Sequence, residues 1–123
     1  MKPVNGGPVK LSTSVDFELA DGTHVPLTFT WSCMMQIEAG AKDVYKRFSR
    51  AFMAGELMDS IITAATSVYV AYLCGYIVNN GSMQGCMSER EFLDAMPQDF
   101  GRAAKVIGEV FFPKGTEDSE NLS

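Results

Sequence analysis

His24 is the single histidine of this chain, and Cys33, Cys74 and Cys86 are its three cysteines. No two of the cysteines form a C-x-x-C pair, and one imidazole beside a turn does not make a zinc-ligand spacing. A Ser/His/Asp or Cys/His nucleophile system would have to use His24 on a hairpin, with no nucleophile elbow elsewhere in the chain. Glu56 with Asp59, and Glu91 with Asp94, are carboxylate pairs three residues apart. Paired carboxylates perform acid–base chemistry only when their environments separate their pKa values, and exposed pairs of this spacing usually just solvate a helix. There is neither a P-loop nor a G-x-G-x-x-G run. The expectation is a protein without catalytic residues, metal or cofactor, and not an enzyme.

The residues suited to binding are of other types. Eight methionines are many for this length. Their flexible thioethers fill core gaps, and they also serve surfaces that accept several apolar partners. Met53 and Met58 flank Gly55 and are the methionines expected to be exposed. Lys42, Lys46, Arg47 and Arg50 gather four of the ten basic residues, with Lys42, Lys46 and Arg50 on one helical face. A solvated face is the default for such a cluster; the alternative is docking of an acidic segment, including another copy's C-terminal tail. Ser67, Ala71 and Gly75 are small residues spaced by four, a ridge that lets another helix approach closely, either inside the monomer or from a second protomer. Tyr72 and Tyr76 on the same segment complete the expected protein-binding set.

These residues need elements to position them. A chain of 123 residues with 46% hydrophobic and 20% charged residues makes one domain, at roughly 100–200 residues each. Net charge −5 argues against nucleic-acid binding. An odd cysteine count points to a reducing compartment, and the N-terminus has no apolar signal-peptide region. Residues 1–10 read as a flexible arm, 11–112 as the domain and 113–123 as a disordered acidic tail.

Val15, Phe17 and Leu19 alternate with Asp16 and Glu18, and Val25, Leu27, Phe29 and Trp31 alternate in the same way. A two-residue Asp21-Gly22 turn would set Leu19 against His24. A three-residue loop, Ala20-Asp21-Gly22 with Gly22 left-handed, pairs Phe17 with Val25 and Val15 with Leu27, keeping one apolar face. Pro26 cannot donate to a ladder, so one side of its strand is an edge.

Helical spacing follows, through Trp31, Met34, Met35 and Glu38 to Gly40. Asp43 is the expected cap of a second helix with the stripe Val44, Phe48, Ala51 and Phe52, and Gly55 interrupts it. A long helix is expected from Leu57 to Val78, closed by Asn79-Asn80-Gly81. Its run Ser60–Val78 carries no charge, yet Glu56 and Asp59 before it, and the lack of flanking basic residues, favour a buried or interface helix over a membrane span. Ser88-Glu89-Arg90-Glu91 is a capping box for a helix with Phe92, Leu93 and Met96, broken by Pro97. Phe100, Ala103, Ala104, Ile107, Val110 and Phe111 mark a last helix before Pro113. The fold class expected is α+β, mainly α: an antiparallel hairpin followed by four to five helices.

In this order of features the chain resembles the tail assembly chaperone family of tailed bacteriophages and gene-transfer agents. The resemblance rests on the hairpin Val15–Leu19, Asp21-Gly22, Leu27–Trp31 running into Ile37–Gly40, the amphipathic Val44–Phe52, the helix ending near Gly75, the Ser88 start and the apolar helix up to Phe112. It implies a non-enzymatic factor that binds the tape-measure protein, keeps it soluble and helps recruit tail-tube protein, in the host cytoplasm, with neither nucleic acid nor membrane as partner. The alternative is a small tail or connector protein retained in the virion. A homo-oligomer or a tight client complex is also expected, with the hairpin edge or the Leu57–Val78 helix at the contact.

Overall fold

The computed structural model describes residues 14–113; the arm expected over 1–10, and the acidic tail beyond Pro113, lie outside the described residues. The fold is α+β and mainly helical. Strands β1 (Val15–Glu18) and β2 (His24–Leu27) form an antiparallel hairpin, followed by helices α1 (Trp31–Gly40), α2 (Lys42–Ala54), α3 (Ile61–Asn80), α4 (Glu89–Ala95) and α5 (Phe100–Phe111).

The hairpin takes the register its apolar face requires, Val15 opposite Leu27 and Phe17 opposite Val25. Leu19 N–H donates to the Thr23 carbonyl at 2.7 Å, closing a three-residue loop in which Gly22 holds φ +92°. That conformation costs glycine nothing and other residues about 1–2 kcal/mol. Phe17, Leu19 and Leu27 are buried beneath it. The Arg102 guanidinium lies over the Phe17 ring, 5.4 Å from its centre, and donates to the Glu18 carbonyl at 3.3 Å, tying β1 to α5.

All the other helices and β2 pack around α3, whose residues 66–75 are buried without a break. A helix covered on every side has no polar face to show, which accounts for its charge-free run. It starts later than the Leu57 expected from its apolar pattern. Ser60 Oγ accepts the Thr63 N–H at 3.0 Å and caps it, whereas Leu57 is a loop residue plugged into the core. Burial alone made Leu57 look helical. Gly81, at φ +88°, ends α3.

A second correction concerns α2. Asp43 is not its cap: Ala41 is the only residue between α1 and α2, so the helix has already begun at Lys42. Asp43 lies in the first turn, where a carboxylate favours the positive helix end. Gly55, φ +73°, terminates α2, and the Ser88–Glu91 capping box opens α4 as expected.

Candidate protein-binding site

Thr30 caps α1, its Oγ1 accepting the Cys33 N–H at 3.1 Å. That start sends Cys33, Met34 and Ile37 into the core and turns Trp31, Met35 and Glu38, spaced four and three apart, outward. After Ala41 the chain folds back, and α2 presents Tyr45, Ser49, Phe52 and Met53 toward the same space. Between the two helices runs a groove of about 560 Å³. Phe29 forms its floor, 5.6 Å from the Trp31 ring and 5.8 Å from the Phe52 ring, centre to centre. Trp31 is 76%, Met35 72% and Met53 80% exposed. Three large apolar side chains left in water around one concavity are characteristic of an interaction surface.

The groove is not uniform along its length. Past Met35, Glu38 and Tyr45 it opens into a second hollow of about 430 Å³ that also includes Lys42 and Lys46. The two lysines are exposed and form no ion pair among the described residues. Arg50, expected on their face, lines a separate cleft with Glu56, Ile62 and Thr63. A spacing of four drifts by about 40° per step on a 3.6-residue helix, so the third basic residue turns away. Arg47 is committed elsewhere: its guanidinium grips Glu89 at 2.6 and 3.1 Å and Asp43 at 3.0 Å. Thr66 donates to the same Glu89 carboxylate at 2.8 Å, so one network joins α2, α3 and α4. Hydrogen bonding from Arg47 holds Glu89 below the usual carboxylate range.

Of the residues singled out in the sequence, Met53 and Met58 are exposed, and only Met53 lines the groove. Ser67, Ala71 and Gly75 correct the expectation of a ridge open to another protomer: all three are buried. The occupant at Ala71 and Gly75 is the chain's own β2 with the residue after it. Thr28 N–H donates to the Ala71 carbonyl at 3.1 Å, and the Pro26 carbonyl rests on Gly75. Small residues allow close approach by any backbone, and here a strand makes it. The expected oligomer contact through this face is therefore taken within the monomer.

Tyr72 and Tyr76 are also used internally. Tyr72 Oη accepts the Met87 N–H at 2.9 Å, Tyr69 donates to the Met87 carbonyl at 2.9 Å, and Tyr76 donates to the Gln84 carbonyl at 2.8 Å. The tyrosines pin the α3–α4 loop to α3, with Tyr72 stacked on Phe92.

Trp31, Met35, Phe29 and Phe52 are the groove residues that sequence reasoning missed. The signal was the alternative spacing Cys33–Ile37, four apart, which competes with Trp31–Met35 for the buried face of α1. A smaller apolar hollow of about 320 Å³ lies between α3, α4 and α5, beside the exposed Ile61, Ile62 and Phe100.

The groups that could do chemistry are dispersed. His24 Nδ1 lies 2.6 Å from Asp16 Oδ2 on the hairpin surface. Cys33 and Cys74 are buried, and burial pushes the Cys74 thiol up to about 12, away from nucleophilic use. Glu91 is occupied in its capping box, accepting the Ser88 N–H at 2.8 Å, while Glu56 and Asp59 face solvent. Among the described residues no group of three or more His, Cys, Asp or Glu side chains is placed to hold a metal ion. One described helix, α3, is long and apolar enough to cross a bilayer, and 67% of its most apolar window is buried by the rest of the chain.

Searches against known protein families, characterised proteins and solved structures found no match to this chain.

Proposed function

We propose that this chain is a phage tail assembly chaperone: a non-enzymatic protein of the host cytoplasm that binds the tape-measure protein, keeps it soluble and helps recruit tail-tube subunits. It acts without cofactor, nucleic acid or membrane. The observation that carries the reading is the open α1–α2 groove, walled by Trp31, Met35, Phe52 and Met53 on a chain of net charge −5. A chaperone must offer apolar surface to a client while remaining soluble itself. Adaptable thioethers and aromatic rings supply the first property, and net charge of one sign supplies the second. A weak groove on each of many copies gains avidity along one long client.

The test is affinity capture of the tagged chain from infected or induced cells, with mass spectrometry of purified particles alongside. The tape-measure protein should be co-purified, and the chain should be absent from finished particles. Stoichiometric retention in the particle would instead make it a structural tail or connector protein.

A further inference from the structure

Resting on the reading of this groove as a protein-binding site, we infer that its occupant is a three-turn amphipathic helix of a partner protein, with acidic residues at one end of its apolar stripe. The walls define the shape. Residues spaced four and three apart on α1 (Trp31, Met35, Glu38) face Tyr45, Ser49, Phe52 and Met53 on α2, spaced four, three and one. Two helical walls joined by one residue offer a groove that a third helix can enter with i, i+4 and i+7 anchors. Lys42 to Met53 spans eleven helical steps, about 17 Å at 1.5 Å per residue, which is three turns of an occupant.

The charge arrangement defines the chemistry. Trp31, Phe29, Phe52 and Met53 make one end mainly apolar and free of charge, whereas Lys42 and Lys46 stand at the other end without ion pairs among the described residues. The neighbouring Arg47 shows what a basic side chain of α2 does when an intramolecular carboxylate is within reach. Glu38 lines the same hollow, yet neither lysine forms an ion pair among the described residues, and an occupant bearing Glu or Asp there would provide one.

Trp31 is the only tryptophan and lies in the groove, so its emission reports occupancy directly. Two Ala-based helical peptides of about 18 residues, long enough to hold helix in water, would be titrated into the full chain at low salt. Both carry Leu at i, i+4 and i+7; one has two Glu beyond the stripe and its twin has two Lys. The expected result is a blue shift of Trp31 with the Glu peptide, at an affinity about three- to tenfold above that of the Lys twin, as two exposed charge pairs allow. Lys42→Glu/Lys46→Glu should reverse the preference, and Met53→Ser should weaken both peptides.

Equal binding of the twins, a preference for Lys, or no shift with either peptide overturns the inference. So does a Trp31 shift that follows dilution of the chain alone, which assigns the groove to a second copy. A Trp31 shift on truncating the full chain after Pro113 assigns it to the chain's own acidic segment and has the same consequence. The two readings fail separately. Client capture that survives both Met53→Ser and Lys42→Glu/Lys46→Glu removes this inference and leaves the chaperone reading. Glu-peptide binding by a chain that captures no tape-measure protein does the reverse.

Discussion

Gly75 of α3 lies directly under Pro26 of β2: a Cβ added at position 75 would run into the Pro26 carbonyl oxygen and come within 2.9 Å of its carbon. Proline has no N–H to leave unpaired at this edge, and glycine leaves room for the strand to sit on the helix backbone. This approach and the Thr28–Ala71 hydrogen bond join β2 and the residues after it to α3.

Gly75→Ala should destabilise the protein by about 1–3 kcal/mol. Helix propensity favours alanine by at most about 1 kcal/mol, and the opposing atoms are backbone, which cannot rotate aside. Gly108→Ala is the control. It is also in a helix interior, but a Cβ there meets nothing within 4 Å, so the change should stabilise by up to about 1 kcal/mol. Denaturant midpoints of the two variants decide the matter.

Ala71→Leu adds three carbons to a residue 1% exposed in the packing around α3. Overpacking there should cost about 1–3 kcal/mol. Because the contact is intramolecular, the loss of melting temperature should be the same at every protein concentration. A dilution-dependent loss would return the ridge to an intermolecular contact.

Tyr72→Phe removes the acceptor of the Met87 N–H while keeping the ring on Phe92. An amide left without its partner costs about 1–2 kcal/mol. Residues 81–88 should then exchange their amide hydrogens faster than the rest of the chain, which hydrogen-exchange mass spectrometry would localise.

Glu89 connects stability to acid. Its folded pKa is held below 4.5 by the Arg47 hydrogen bonds, so the network's contribution is present above that value and is lost as pH falls through the lower folded value. With both side chains partly exposed, screening reduces its worth, and Glu89→Gln should cost about 1–2 kcal/mol at pH 7. The difference between variant and parent should shrink as urea melts are repeated toward pH 3.

His24 behaves in the opposite sense. The hydrogen bond that its Nδ1–H donates to the Asp16 carboxylate raises its pKa above 6.5, so any stability it adds is complete below 6.5 and is lost as pH rises through the raised value. Proton NMR titration should place the imidazole above 6.5, and Asp16→Asn should bring it back toward that value. Groove occupancy, measured through Trp31 emission, should not follow this titration, because the pair is on the hairpin.

Features set by near neighbours were legible in the sequence. The hairpin register followed from alternation and one glycine, the start of α4 from Ser88 and Glu91, and the ends of α2 and α3 from Gly55 and Gly81. Each depends on residues within a few positions, where steric and hydrogen-bonding rules act without the rest of the fold. The exposure of Met53 was read correctly for a similar reason, since it sits at the end of an amphipathic stripe beside a glycine stop. Spacing alone picked out one helix-spaced set on α1, Trp31, Met34, Met35 and Glu38, and did not show that Cys33 and Ile37 would join Met34 on the buried face. Cys33 lies within 3.6 Å of the Cys74 carbonyl on α3, and that packing buried one stripe and left Trp31 and Met35 outside as groove wall. Nor did it tell which element would cover Ser67, Ala71 and Gly75, or that three tyrosines would spend their hydroxyls on a loop eight to eighteen residues away. Burial is a property of neighbours distant along the chain, so a small or apolar residue records only that something packs against it, and the tertiary structure decides what.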